Sequence, residues 1–209
     1  MQFFDFHHHH SSKKFGIYNL LFEEKIPESF FSAGIHPNGI GENLENKMVW
    51  LKEISPHENC VAIGECGLDG LIDVTDELQE EVFRKQIEWA NHVQKPLLIH
   101  CVRRFSRLIQ LCENAQVPII IHGFNKKKSV GQDLLKKEFF LSFGKAVLEN
   151  VNLQHFLEEV PLHQIFLETD NADFDLDQLY EKVAFLKNIS KKTLAEQIKS
   201  NLKNLKIST

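Results

Sequence analysis

Histidines and carboxylates stand directly after apolar segments at several points along the chain, and these residue types bind divalent metal ions. The first two are His7 and His9, which follow a phenylalanine-rich segment. Side chains at positions i and i+2 of a β-strand point to the same face, so this pair is predicted to hold one ion together. A histidine tag added for purification is the alternative interpretation of this stretch.

Further ionisable residues repeat this placement later in the chain. They are His36, Glu65, His100, His122 and Asp170. Four of the histidines and the two carboxylates exceed the ligand number of one tetrahedral ion, so two divalent ions roughly 3.5–4 Å apart, bridged by a carboxylate, are predicted. Such ions lower the pKa of a bound water toward about 7 and make it a hydroxide nucleophile at neutral pH.

Each of these residues, taken alone, has a structural alternative. His100 and His122 end apolar segments and could be core histidines with hydrogen-bond partners. Glu65 and Asp170 could cap the helices that follow them. Together these alternatives require six independent coincidences at the same end of the strands, and the joint pattern therefore favours metal ligands.

Eight short apolar segments alternate with amphipathic segments, which predicts parallel β/α units. The predicted strands cover residues 3–6, 16–22, 30–35, 61–64, 96–99, 117–121, 139–143 and 164–167. The clearest helix is predicted over 76–93 with Asp76 as its N-cap. The expected architecture is a compact (β/α)₈ TIM barrel, one domain over residues 1–209, with reduced helices between the first three strands and a site at the carboxyl ends of the strands.

Composition limits the classes of function and the compartment. A net charge of −5 excludes the broad basic surface of a passive DNA-binding module, but allows an enzyme that meets phosphate through metal ions and local cations. Four cysteines without a CxxC pair predict neither a zinc ribbon nor a redox motif, and indicate a reducing compartment, the cytoplasm. We expect no signal peptide, membrane span or membrane partner.

Six segments together resemble the successive motifs of the TatD family of metal-dependent DNases, which are amidohydrolase-like TIM barrels. They are Asp5-Phe6-His7-His8-His9, Ala33-Gly34-Ile35-His36-Pro37, Gly64-Glu65-Cys66-Gly67-Leu68-Asp69, His100-Cys101, Ile121-His122-Gly123-Phe124 and Glu168-Thr169-Asp170. The resemblance runs in order through nearly the whole chain. It implies a hydrolase that uses two divalent ions (Zn, Mn or Mg) on the phosphodiester bonds of a nucleic acid substrate, DNA or RNA.

The resemblance also implies a role for each site residue. The first ion would be held by His7, His9, Glu65 and Asp170, and Glu65 would bridge to a second ion completed by His100 and His122. Asp170 would orient or deprotonate the attacking water, so that Glu65 and Asp170 are the catalytic carboxylates. His36 would lie near a substrate phosphate and would not be a metal ligand.

The chain departs from the family pattern mainly at residues that would contact substrate. Val102 stands where the family usually has arginine, and Arg103 and Arg104 follow it. A lysine-rich segment, 125–128, replaces the usual Ser-Gly-Ser, and the loop after Asp170 is short. We expect Arg103 and Lys126 to contact phosphate together with His36; the alternative for both cationic segments is a solvated surface.

Two other functions are compatible with the same residues. The short final loop fits a hydrolase of a small amide, ester or phosphate substrate. A metal-binding protein that has lost turnover is the third candidate, and Asp170 argues against it because a structural site needs no water-activating carboxylate. We also expect a partner subunit, in a homo-oligomer, to cover the surface left by the reduced early helices.

Overall fold

The computed structural model describes residues 2–208, and within them eight strands form one sheet in chain order. The strands are β1 Asp5–His8, β2 Gly16–Leu20, β3 Phe31–Ala33, β4 Cys60–Asp69, β5 Leu97–Val102, β6 Ile119–Ile121, β7 Phe140–Phe143 and β8 Ile165–Leu167. Successive pairs from β2 to β6, and the pair of β7 with β8, are parallel. This is the element order of the predicted (β/α)₈ barrel.

Helices follow the strands from β3 onward. They are α1 Leu44–Ile54, α2 Asp76–Val93, α3 Phe105–Cys112, α4 Lys128–Lys136, α5 Ala146–Glu149, α6 Val151–Glu159, α7 Leu176–Leu186 and α8 Lys191–Asn204. In the described part of the chain, the connections from β1 to β2 and from β2 to β3 contain no helix. This agrees with the prediction of reduced helices between the first three strands.

The chain divides into two compact units by its internal contacts. The first unit comprises the residues up to Ile17 together with those from His122 onward, and the second unit is Tyr18–Ile121. The single domain predicted over residues 1–209 stays a prediction.

In the first unit, β1 packs beside β8. Phe6 stacks on Phe166 with ring centroids 3.9 Å apart, and His8 forms a parallel bridge with Asp170 just beyond β8. The buried Tyr180 of α7 donates a hydrogen bond from its hydroxyl to the carbonyl of Phe4 at 2.9 Å. These contacts bring the end of β1 next to the end of β8.

In the second unit, β4 lies close against β5, and two glycines permit this approach. Gly64 and Gly67 have φ values of 155° and 134°, which L side chains rarely adopt. A Cβ on Gly64 would overlap the carbonyl of Leu98, and one on Gly67 would overlap the carbonyl of His100. The glycines around Glu65 are therefore required by the backbone of this strand pair.

Helix α2 has the predicted bounds, but its predicted cap is wrong. The N-cap is Thr75, which has an extended backbone and whose side-chain oxygen accepts the N–H of Leu78 at 3.4 Å. Asp76 is the first helical residue, where its carboxylate is favourable to the helix dipole without capping it.

Candidate metal centre

In the first unit, His7, His9 and Asp170 form one group of potential ligands. The Nε2 atoms of His7 and His9 lie 3.7 Å and 3.4 Å from Oδ1 of Asp170. Each of the three offers a ligand atom within 4.8 Å of the others. The two histidines predicted to share a face thus meet the same carboxylate. Because His7 is fully buried in the sheet, the interpretation as a purification tag is wrong.

The backbone places the Asp170 carboxylate in this group. The N–H of Asp170 donates to the carbonyl of His7 at 2.9 Å, and the N–H of His9 donates to the carbonyl of Asp170 at 3.3 Å. Asp170 has a left-handed φ of 52°, a strained conformation that is typical of functional sites. Its side chain remains 38% exposed, and Asp175, not Asp170, caps the following helix.

A buried network behind Asp170 was not predicted from the sequence. The Asp5 carboxylate accepts the backbone N–H of Thr169 at 2.8 Å, the Thr169 hydroxyl at 2.6 Å and the Lys13 ammonium at 3.0 Å. The only sequence signal was the position of Asp5 and Thr169 inside motifs that also contain predicted ligands. The network fixes the residue directly before Asp170.

His8 lies in β1 outside these ligand groups. It is fully buried, and its desolvation lowers its pKa to about 4 although the nearby Asp5 carboxylate opposes this shift. His8 is therefore neutral at neutral pH, consistent with a core side chain.

His122, directly after β6, lies near a buried carboxylate in the same unit. Its Nδ1 is 3.6 Å from Oε1 of Glu168, and its ring centroid is 4.6 Å from that of His7. Glu168 accepts the N–H of Gly123 at 2.6 Å and the hydroxyl of Ser142. His122, Glu168 and Asp170 form a second group of potential ligands, in which Glu168 was not predicted.

In the second unit, His36, Glu65 and His100 form a third group. Nε2 of His36 is 3.9 Å from Oε2 of Glu65, and the rings of His36 and His100 have centroids 4.4 Å apart. Glu65 is buried, and its N–H donates to Oδ1 of Asn19 at 3.2 Å. Since Glu65 lies inside β4, the alternative that it caps a helix is wrong.

The predicted ends of β4 and β5 were too early. Both strands continue past the apolar segments, with Gly67 opposite His100 and Asp69 opposite Val102. Hydrophobicity marks only the buried apolar part of a strand, whereas backbone pairing carries the strand on through the polar residues Glu65 and His100.

The ring of His36 has a defined proton position. Its Nδ1 accepts the backbone N–H of Asn38 at 3.1 Å. In a neutral imidazole the other nitrogen then carries the proton, so Nε2 is a hydrogen-bond donor. This agrees with the predicted phosphate contact and disfavours His36 as a metal ligand.

The predicted cationic residues differ in their surroundings. Arg103 is exposed and has a left-handed φ of 59°, whereas Arg104 pairs with Asp76 and lies 3.5 Å from Glu80. The guanidinium of Arg104 is therefore already paired with carboxylates of α2, whereas Arg103 is exposed. Lys128 pairs with Glu159 at 2.5 Å. Lys126 is half-buried.

The donor sets fit divalent metal ions. Each group combines imidazole nitrogen with carboxylate oxygen, a combination that suits zinc or manganese better than magnesium, which prefers oxygen ligands and water. Three protein ligands with an open position are typical of catalytic zinc sites.

The profile of the family described as TatD related DNase matches residues 9–206. The chain therefore belongs to the TatD family. An uncharacterized metal-dependent hydrolase of Bacillus subtilis, YabD, is 31% identical over 195 residues, which cover 84% of this chain and 76% of the relative. A second such hydrolase, from Buchnera aphidicola, is 34% identical over 74% of this chain and 60% of its own length.

Another relative is named a 3'-5' ssDNA/RNA exonuclease TatD, from Pantoea, and is 25% identical over 83% of this chain and 76% of the relative. Two solved structures have the same fold at 16% identity. They are the TatD homolog YJJV of Escherichia coli (TM-score 0.77, 97% of each chain) and a TatD family hydrolase of Entamoeba histolytica (TM-score 0.80, 98% of each chain).

These comparisons confirm the predicted family, the TIM-barrel fold and the class of metal-dependent hydrolase, and the names of the relatives agree with a nuclease. The number and identity of the ions stay predictions. Among residues 2–208, the helices are all too short or too polar to cross a bilayer.

Proposed function

We propose that this chain is a TatD-type nuclease that hydrolyses phosphodiester bonds of DNA or RNA with two divalent metal ions. The observation that carries the proposal is the group of His7, His9 and Asp170, in which two imidazoles of one strand meet a partly exposed carboxylate. A purely structural site has no need for an exposed carboxylate beside two buried or half-buried histidines.

The ligand groups suggest how the ions are divided. His7, His9 and Asp170 would hold one ion, and Glu65 with His100 would hold the other. The sharing of Glu65 between both ions and the assignment of His122 to the second ion stay predictions from the family resemblance. When bound, the ions supply Lewis-acid stabilisation of the phosphate and a hydroxide at neutral pH.

The chain's own residues then handle the water and the substrate. Asp170 would accept the proton of the attacking water, since its side chain is 38% exposed and its backbone is held by β1. His36 would donate its Nε2–H to a phosphate oxygen. Arg103 and Lys126 would neutralise flanking phosphates, as the sequence predicts.

The substrate class rests on the relatives, of which one is named for single-stranded DNA and RNA. A small amide, ester or phosphate substrate stays the alternative, because the loop after Asp170 is short. The cytoplasmic location and the homo-oligomer also stay predictions.

The test compares Asp170→Asn with the matched control Asp173→Asn, an exposed carboxylate of the same loop. End-labelled single-stranded DNA, duplex DNA, RNA and a small phosphodiester are incubated with metal-loaded protein. We expect cleavage of a nucleic acid, a loss of about 10²–10⁴-fold in kcat in Asp170→Asn with most metal retained, and little change in Asp173→Asn. Turnover of only the small substrate, or none in the wild-type protein, would contradict the proposal.

A further inference from the structure

His100 has a carboxylate partner within the second unit. Its Nε2 lies 3.1 Å from Oδ2 of Asp69, which is buried at the end of β4. An ionised carboxylate only accepts hydrogen bonds, so this contact requires the proton on Nε2 of a neutral imidazole. The lone pair of His100 then resides on Nδ1, so Nδ1 is the nitrogen that would bind a metal ion.

Asp69 is itself held by several hydrogen bonds. Its Oδ1 accepts the N–H of Leu71 at 2.9 Å. The buried Gln79 of α2 accepts the N–H of Asp69 at 2.8 Å and donates to its carbonyl at 3.0 Å, while the same amide donates to Val74 at 2.8 Å. Gln79 of α2 thereby fixes the backbone of Asp69, the Leu71 N–H fixes its Oδ1, and Oδ2 is directed to His100.

We propose that Asp69 is a positioning residue for His100: it keeps the proton on Nε2 and presents Nδ1 as the metal ligand. Metal-binding histidines usually donate their second ring N–H to a carboxylate or carbonyl, and this partner fixes both the tautomer and the ring orientation. Gln79 acts one step further back, because its side-chain amide binds the backbone N–H and carbonyl of Asp69. The inference rests on the proposed function in so far as His100 is taken as a ligand.

The experiment combines Asp69→Asn with the matched control Asp73→Asn, an exposed carboxylate in the same loop. The tautomer of His100 is read in metal-free protein from its ¹⁵N ring signals, assigned with His100→Gln. Zinc affinity is measured by competition with a chromophoric chelator, without any nucleic acid. Thermal unfolding checks that each variant is folded.

We expect the Nε2–H form of His100 in the wild-type protein and in Asp73→Asn. Asp69→Asn should contain a substantial fraction of the Nδ1–H form, because the amide can turn its NH₂ group toward Nε2. Its zinc affinity should fall about 10–100-fold, and Asp73→Asn should stay within about twofold of wild type.

Two results would overturn the inference: an Nδ1–H tautomer in the wild-type protein, or an Asp69→Asn variant with unchanged tautomer and zinc affinity. If Asp69→Asn does not fold, the His100 tautomer is measured in Asp69→Glu instead. This variant retains a carboxylate acceptor and should keep the Nε2–H form. If the wild-type protein binds no zinc, the proposed metal chemistry fails for zinc, while the tautomer measurement still accepts or rejects the role of Asp69.

Discussion

The candidate ligands of the two units have carboxylates with opposite properties. In the first unit, Asp170 is 38% exposed, has a left-handed backbone and is placed by main-chain hydrogen bonds to β1. In the second unit, Glu65 is buried within a long strand. The exposed carboxylate can exchange protons with water, whereas the buried one is suited to a permanent ligand.

The carboxylates behind the histidines differ as well. Glu168 is 3.6 Å from His122, beyond a normal hydrogen bond, and its oxygens accept the N–H of Gly123 and the hydroxyl of Ser142. Asp69 directs one oxygen to His100 at 3.1 Å. Burial near a histidine therefore does not define the role of a carboxylate. Its role depends on which donors its two oxygens bind.

The largest effect is expected from Glu65→Ala. Loss of this buried carboxylate, a predicted ligand, should lower the metal content well below the two ions expected per chain and reduce kcat by about 10³-fold or more. Elemental analysis and nuclease assays measure both, with Glu58→Ala as control because Glu58 is an exposed carboxylate just before β4. Full metal content in Glu65→Ala would show that the buried Glu65 is not a permanent ligand, and would contradict the contrast with the exposed Asp170.

Glu168→Ala should have the larger effect on stability. The change leaves the N–H of Gly123 and the hydroxyl of Ser142 without their acceptor, at a cost of about 3 kcal/mol in the free energy of unfolding. Asp69→Ala removes the acceptor of the partly exposed Leu71 N–H and should lower the free energy of unfolding by about 1 kcal/mol. Urea unfolding in EDTA compares the two, and equal losses would show that both carboxylates serve the fold alike.

Metal removal should lower stability by a somewhat smaller amount. Ions that bind only the folded state stabilise it by about 2.7 kcal/mol at a concentration 100 times Kd. We expect EDTA to lower the Tm of the wild-type protein and to change that of Glu65→Ala much less. A Tm shift that is equally large in Glu65→Ala would place the stabilising ion with the first-unit ligands.

The smallest effects are expected at the cations. Arg103→Ala in the second unit and Lys126→Ala in the first should each raise KM about fivefold, which corresponds to about 1 kcal/mol for an exposed charge contact. The exposed Lys127 supplies the control variant. The effect should weaken at high salt, and an effect of only one of the two substitutions would show which unit contacts the flanking phosphate.

The sequence by itself determined the fold class, the family and the candidate ligand residues, whose role as ligands stays a prediction. Apolar segments followed by histidine or carboxylate mark the buried parts of strands, because burial and the two-residue period of a strand are local properties. Helix α2 was predicted with its bounds, Asp76–Val93, because its helical period is long and regular. The end of β5 was not predicted correctly, because the pairing of β5 with β4 continues through the polar His100.

Only the tertiary structure decided which groups hold the ligands in place. Asp5 meets Thr169 across 164 positions of sequence, and Asp69 reaches His100 across 31. Neither contact leaves a periodic signal, because a single hydrogen bond between distant residues depends on strand register and packing. The proton positions of His36 and His100 follow from such contacts, so the chemistry of each ring became defined only when its neighbours were in place.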